Sequence, residues 1–107
     1  MEIGVTYEAI SMGDIDVARV FSTDGKLDKY KLKILQDNKT FFPIYNPAVC
    51  VRTEIHNKYP AIQEILRPLN KYLNAQIIRR LNFLVDTGKA DPERIARDYL
   101  KALGLIN

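Results

Sequence analysis

The single histidine of the chain is the first residue to consider for acid–base chemistry. His56 is expected in a polar turn beside Asn57 and Lys58, and the sequence fixes no acid–base partner near it. General acid–base catalysis needs a positioned group within hydrogen-bonding reach of the proton that moves. We therefore predict a solvated loop histidine without a catalytic role.

Carboxylates and the single cysteine give no stronger indication of chemistry. Asp14 with Asp16, and Asp24 with Asp28, lie in turn regions that form no glycine-rich calcium loop and have no terminal bidentate glutamate. Cys50 is the only cysteine, so an internal disulfide and a cysteine-based metal cluster are excluded, and we expect it to be a small buried strand residue. No phosphate-binding loop, nucleophile elbow or paired-histidine motif is present. We expect no enzyme, no cofactor and no metal.

Aromatic residues form the pattern that does suggest a function. Phe41, Phe42 and Tyr45 follow one another closely around Pro43, directly ahead of an apolar segment. For the two phenylalanines, an aromatic cluster that seals the edge of the core is an equally good interpretation. Tyr45 lies at a predicted strand entrance and offers both a ring face and a hydroxyl. Aromatic faces around a cavity attract cations, and quaternary ammonium groups are bound in this way.

Composition limits the classes of protein to consider. The chain has 107 residues, of which 47% are hydrophobic and 27% charged, which predicts one compact body or a piece of a larger one. Its net charge of +3 comes from basic and acidic residues that are interspersed, so we expect a solvated surface and no nucleic-acid partner. The first residues do not resemble a secretory signal peptide, and no apolar stretch is long enough to cross a membrane.

The first half of the chain predicts a mixture of short helices and strands. Residues 6–12 favour a helix that Gly13 ends, and the apolar, β-branched residues 15–21 favour a buried strand. A weaker strand is expected at residues 32–36 and a second strong strand at 46–53. Because no strand precedes the first helix, half of a βαβ unit is missing, and we expect the chain to begin within a domain.

The second half predicts three helices with clear boundaries. The first begins near Pro60 and should kink or end at Pro68. The second begins after Asn74 and ends at Gly88. The third begins at Asp91 and Pro92, a capping pair, and ends at Gly104.

Several motifs in one order give the chain a family resemblance. It resembles the substrate-binding proteins of ABC transporters for glycine betaine, choline and related osmoprotectants, over nearly its whole length. The motifs are VTYEAISMGDIDV at residues 5–17, FSTDG at 21–25, FFPIYN at 41–46, the pattern of Leu81, Asn82 and Val85, and the closing segment at 99–105.

The resemblance implies an α/β fold, namely a fragment of the two-lobed type II periplasmic binding fold, with short strands and about four helices. It implies that residues 1–21 end the second lobe. Residues 22–45 would form the crossing segment, and residues 46–107 would end the first lobe.

The resemblance also implies a ligand site. Tyr45 falls on a position of the aromatic box that grips the ligand. Phe21 falls on another position, where tyrosine is usual, so the ring face remains and the hydroxyl is lost. Supporting positions are Ser22, Thr23, Asp24 and Asn46.

The implied function is capture of a quaternary ammonium ligand, such as glycine betaine, choline or proline betaine, and its delivery to an ABC permease. The protein would work in the periplasm or at the extracytoplasmic face, free or fused to a membrane-bound permease. Two alternatives stay open: the same fold with another small solute, such as an amino acid, or a small basic interaction module. As an isolated fragment, the chain is expected to self-associate.

Overall fold

The computed structural model describes residues 3–44, 48–88 and 90–107, and for Ile3 only the backbone. In these ranges the secondary structure consists of seven helices, four of them no longer than six residues. They are α1 (Ile3–Met12), α2 (Lys26–Lys29), α3 (Thr53–Lys58), α4 (Ile62–Leu66), α5 (Leu69–Tyr72), α6 (Ala75–Gly88) and α7 (Pro92–Ala102).

Glycines end α1 and α7 as the sequence predicts. Gly13 and Gly104 have positive φ values of 83° and 69°, a conformation in which a side chain is strained. After α1, the amide of Asp14 donates to the carbonyl of Ala9, and after α7 the amide of Leu105 donates to the carbonyl of Leu100. These bonds reach five residues back and form Schellman motifs, which satisfy carbonyls that the helix leaves open.

The starts of the two long C-terminal helices also agree with the sequence. Helix α6 begins at Ala75, directly after Asn74, and helix α7 begins at Pro92. The carboxylate of Asp91 accepts a hydrogen bond from the amide of Arg94 at 3.3 Å. It thereby caps one of the free amides in the first turn of α7.

The segment between residues 53 and 72 is more helical than the sequence indicates. The predicted interruption at Pro68 is confirmed, because α4 ends at Leu66 and α5 begins at Leu69. The polar turn predicted around His56 is wrong, since His56 lies in α3.

Helix α2 is not predicted from the sequence either. It has only four residues, in a charged connection, and so few residues show no helical periodicity of apolar side chains.

The predicted strands are not confirmed. Residues 15–21, 32–36 and 48–52 have no regular secondary structure, and positions 46 and 47 lie outside the described residues. Thr53, the last residue of the second predicted strong strand, begins α3 instead. A strand exists only when a neighbour supplies hydrogen bonds, and no such neighbour is found in the described part of the chain. The burial predicted for Cys50 is wrong for the same reason: without a sheet around it, the residue is exposed.

The chain divides into two compact units. Unit 1 consists of Met1–Lys33 and Ala75–Asn107, and unit 2 of Ile34–Asn74. In unit 1, α6 contacts α2 and α7. Among the described residues, the buried hydrophobic side chains are Tyr7 and Leu27, both in unit 1. The lobe boundaries inferred from the family resemblance stay a prediction.

None of the described helices combines the length and the apolar character needed to cross a membrane.

Candidate ligand-binding site

The segment from Phe21 to Gly25 forms a tight turn that leads into α2. The amide of Asp24 donates to the carbonyl of Phe21 at 3.1 Å, and the amide of Leu27 donates to the carbonyl of Asp24 at 3.2 Å. Leu27 is buried, whereas half of the surface of Phe21 is exposed. The turn therefore has an aromatic ring at its open end and is followed, in α2, by a residue anchored in the core.

Tyr7 on α1 fixes the turn from one direction. Its side chain is fully buried, and its hydroxyl donates a hydrogen bond of 2.6 Å to Oδ2 of Asp24. Burial is the main cause that raises the pKa of Tyr7 well above its ordinary value. The hydrogen bond to Asp24 and the negative charge of Asp24 raise this pKa further. The phenol therefore stays protonated and remains a donor to the carboxylate throughout the neutral range.

Helix α6 fixes the same turn through two side chains. The side-chain nitrogen Nδ2 of Asn82 donates to the carbonyl of Thr23 at 2.9 Å, and Nη1 of Arg79 donates to the carbonyl of Ser22 at 3.4 Å. Together with Tyr7, these side chains bind three successive residues of the turn. We call Tyr7, Arg79 and Asn82 the turn clamp.

Gly25 allows the turn to approach α6 closely. A Cβ atom at this position would lie 2.5 Å from the amide nitrogen of Phe83 and 2.6 Å from the carbonyl carbon of Asn82. Both are backbone atoms, which cannot move aside as a flexible side chain can. The backbone angles of Gly25 are ordinary helical ones, so space and not φ requires glycine here.

A polar cavity of about 310 Å³ lies beside the clamp within unit 1. Its lining combines a phenol, an amide, an ammonium group and two carboxylates; these residues are Tyr7, Asp24, Gly25, Lys26, Asn82 and Asp86. The ammonium of Lys26 lies 5.7 Å from the centroid of the Tyr7 ring and so already provides a cation–π contact. Among the described residues, no group of three or more His, Cys, Asp or Glu side chains could hold a metal ion.

The residues predicted from the sequence fall into two groups. Tyr45 and Asn46 lie outside the described residues. Phe21 offers an exposed ring face, while Ser22, Thr23 and Asp24 accept hydrogen bonds from the clamp. Ser22, Thr23 and Asp24 are thus held by side chains of α1 and α6.

The turn clamp could not be predicted from the sequence. Tyr7, Arg79 and Asn82 lie 17, 57 and 59 positions from their partners, a separation at which no local pattern operates. The tyrosine in the first motif and the asparagine in the pattern of Leu81, Asn82 and Val85 were the only signals. Neither of them says what the side chain contacts.

The aromatic pair in unit 2 is held by a local turn. The two carboxylate oxygens of Asp37 accept hydrogen bonds from the amides of Phe41 and Phe42, at 3.0 and 2.8 Å. Both hydrogen bonds lower the pKa of the Asp37 carboxyl, and the bond from Phe42 has the larger effect. The two rings meet edge to face with centroids 5.1 Å apart, but Phe41 is 80% exposed, so the pair does not seal a core.

Unit 2 also contains an open groove of about 620 Å³. Apolar side chains of Val49, Val51, Ile62 and Leu66 form part of its wall, and His56 lies at the same groove. The polar residues Thr53, Gln63, Arg67 and Asn70 also line the groove. Phe21, Ser22, Thr23 and Asp24, which the family resemblance assigns to the ligand site, do not line it, so the turn in unit 1 is the better candidate.

Comparison with known proteins decides the family. Residues 1–102 match the substrate-binding domain of ABC-type glycine betaine transport systems. The chain belongs to this family. Membership implies the type II periplasmic binding fold, and the regular secondary structure of the described residues is helical.

Individual relatives agree with this membership. The chain is 36% identical over 98% of its length to the ergothioneine transport permease/ergothioneine binding protein EgtU of Helicobacter pylori, covering 19% of that protein. It is 33% identical over 94% of its length to the carnitine transport binding protein OpuCC of Listeria monocytogenes, and 32% identical over its whole length to a glycine-betaine-binding protein of Pseudomonas aeruginosa. The chain spans about a third or less of the length of these relatives.

Proposed function

We propose that the chain is part of the substrate-binding component of an ABC transporter that takes up a betaine-type solute. The observation that carries this proposal is the family match over residues 1–102. The relatives are named for glycine betaine, carnitine and ergothioneine. All three compounds combine a trimethylammonium group with a carboxylate, so the ligand proposed here is a quaternary amine of that kind.

The proposed mechanism is capture without chemical conversion. The ring of Phe21 forms one wall of an aromatic cage around the trimethylammonium group, and Tyr45 forms another. A quaternary ammonium cannot donate hydrogen bonds, so aromatic faces are the groups that attract it in place of water. The exposed ring of Phe21 at the open end of its turn supports this role. Because Phe21 has no hydroxyl, it supplies a ring face alone.

The proposed partner is an ABC permease, to which the loaded binding protein docks. An importer must collect its solute before transport, so the proposed location is the periplasm or the extracytoplasmic face. A free protein and a fusion to the permease are both compatible with this arrangement, since EgtU is named as a permease and binding protein together. No catalytic step is proposed.

The first test is a ligand screen on the full-length protein that contains this chain. We expect glycine betaine, choline, carnitine or ergothioneine to raise the melting temperature, because a ligand that binds only the folded state stabilises it. Proline serves as a comparison without a quaternary ammonium. Calorimetry then gives the affinity of each ligand that shifts the transition. Stabilisation by proline alone would favour the amino-acid alternative, and no response to any quaternary amine would refute the substrate class.

The role of Phe21 is tested in the same protein. Phe21→Ala should weaken binding of the quaternary amine by about 2- to 30-fold, the range expected for loss of one cation–π contact. Phe21→Tyr keeps the ring and should retain binding. Tyr59→Ala is the matched control, because Tyr59 is 51% exposed and Phe21 50%, and Tyr59 lies outside the candidate site. Equal losses in Phe21→Ala and Tyr59→Ala would contradict the cage.

A further inference from the structure

The turn that carries Phe21 is held mainly by side chains from outside it. Ser22 and Thr23 are bound through their carbonyl oxygens, and Asp24 is bound through its carboxylate. The bonds to α6 act on main-chain atoms, so they fix the path of the backbone whatever side chains the turn carries.

The ring of Phe21 depends on that path. Half of its surface is exposed, so packing holds it less firmly than a core residue. Its carbonyl accepts the hydrogen bond from the Asp24 amide that closes the turn. The direction in which the ring leaves the backbone is therefore set by the turn geometry, and the clamp stabilises that geometry.

Arg79 extends the clamp to α2. Its Nε atom lies 3.3 Å from Oδ1 of Asp28 but is not aligned for a hydrogen bond, so the attraction there is mainly electrostatic. The Arg79 side chain is only 20% exposed. One guanidinium thus holds the first part of the turn at Ser22 and the following helix at Asp28.

We propose that Tyr7, Arg79 and Asn82 are positioning residues for ligand recognition, which set the orientation of the Phe21 ring without touching the ligand. This inference rests on the proposed function in so far as Phe21 contacts the ligand. Asn82 is the residue to test, because it is exposed and its replacement leaves no cavity in the core.

The first experiment is a double-mutant cycle in the full-length protein, with glycine betaine as the probe in calorimetry. Asn82→Ala should weaken binding by about three- to tenfold, the range for one hydrogen bond. In a Phe21→Ala background, the same substitution should have no further effect, because there is no ring left to orient. Losses that multiply independently, or an unchanged affinity in Asn82→Ala, would overturn the proposal.

The matched control is Gln76→Ala, which removes an exposed amide side chain from the same helix. Its affinity should equal that of the unsubstituted protein. The melting temperature of each variant is recorded as well. A merely structural role for Asn82 would lower the melting temperature without producing coupling to Phe21.

A second experiment needs no ligand. Hydrogen exchange of the Asp24 and Leu27 amides, which close the turn, should be faster in Asn82→Ala than in Gln76→Ala. Unchanged exchange would refute the clamp. If the unsubstituted protein binds no quaternary amine while exchange responds as expected, the proposed function fails and the clamp remains.

Discussion

Tyr7 combines a buried apolar ring with a satisfied polar group. Its ring stacks with that of Tyr30, with centroids 6.2 Å apart, and its hydroxyl reaches Asp24. A buried hydroxyl without a partner is costly, so this hydrogen bond restricts where the turn can lie. The same residue thus contributes to the small core of unit 1 and to the order of the candidate site.

Substitution of Tyr7 by phenylalanine separates these two contributions. Tyr7→Phe keeps the ring but removes the donor to Asp24, and should lower the free energy of unfolding by about 1–2 kcal/mol in chemical denaturation. Tyr59→Phe, at an exposed position, should change it by less than about 0.5 kcal/mol. Equal stability of the two variants would show that the hydroxyl contributes nothing.

The contribution of the Tyr7 hydroxyl to the free energy of unfolding depends on pH in a definite direction. The folded-state pKa of Tyr7 is raised above the unfolded value of about 10. Its contribution is therefore fully present below pH 10 and is lost as the pH rises through the higher folded-state pKa. The stability difference between the parent protein and Tyr7→Phe should be constant at neutral pH and shrink only in strong alkali.

At the scale of elements, the helix ends are determined by a few local residues. Gly13 and Gly104 end α1 and α7, and Asp91 with Pro92 begins α7. Each signal acts within one turn of helix, so neighbours in the sequence suffice to specify it. Helix α6, in contrast, matters through the contacts that Arg79 and Asn82 make far along the chain.

The contribution of the Asp91 cap to stability can be measured by substitution. Asp91→Ala removes the cap and should lower the free energy of unfolding by about 1 kcal/mol. Asp98→Ala is the control: it removes an exposed carboxylate from the same helix, 3.8 Å from Arg94, and should cost less than about 0.5 kcal/mol. Thermal or chemical denaturation of the two variants measures the difference, and a larger loss in Asp98→Ala would refute the capping role.

The difference between local signals and contacts far along the chain explains which features could be predicted from the sequence. The boundaries at Gly13, Pro68, Gly88 and Asp91 follow from backbone chemistry, and the structure confirms them. Strands such as residues 15–21 depend on partners elsewhere, so their β-branched composition was not sufficient evidence. Motifs in sequence order were enough to assign the family, as the match over residues 1–102 shows.

The candidate site was less predictable than the fold. Phe21 could be proposed from its motif alone, and Tyr45 stays a prediction. The contacts of Tyr7 and Asn82 could not be foreseen, because they join positions that only the folded chain brings together.

At the scale of the whole molecule, exposed apolar side chains are the feature that bears on association with other chains. Val17, Val49 and Val51 are all exposed, and each lies in a segment whose composition favours a strand. The chain also spans about a third or less of its relatives. Apolar segments without strand partners are prone to pair with other chains.

We accordingly expect the isolated 107-residue chain to self-associate and to bind glycine betaine weakly or not at all. Light scattering across a concentration series measures the first property, and calorimetry the second. Val49→Lys should reduce association by placing a charge in an apolar segment, whereas Gln36→Lys adds the same charge at an already polar, exposed position. A monomer at high concentration, or micromolar binding by the isolated chain, would contradict this expectation.

The hydrogen bond between Asn82 and Thr23 has a consequence for synthesis on the ribosome. It joins residues 59 positions apart, and unit 1 combines Met1–Lys33 with Ala75–Asn107, which unit 2 separates in the sequence. At about 5–20 residues per second, Thr23 is made roughly three to twelve seconds before Asn82. During that interval the turn lacks two of its three holding side chains, while Ile34–Asn74 is made as one continuous stretch. Of the turn clamp, only Tyr7 is therefore available to the nascent turn until α6 emerges.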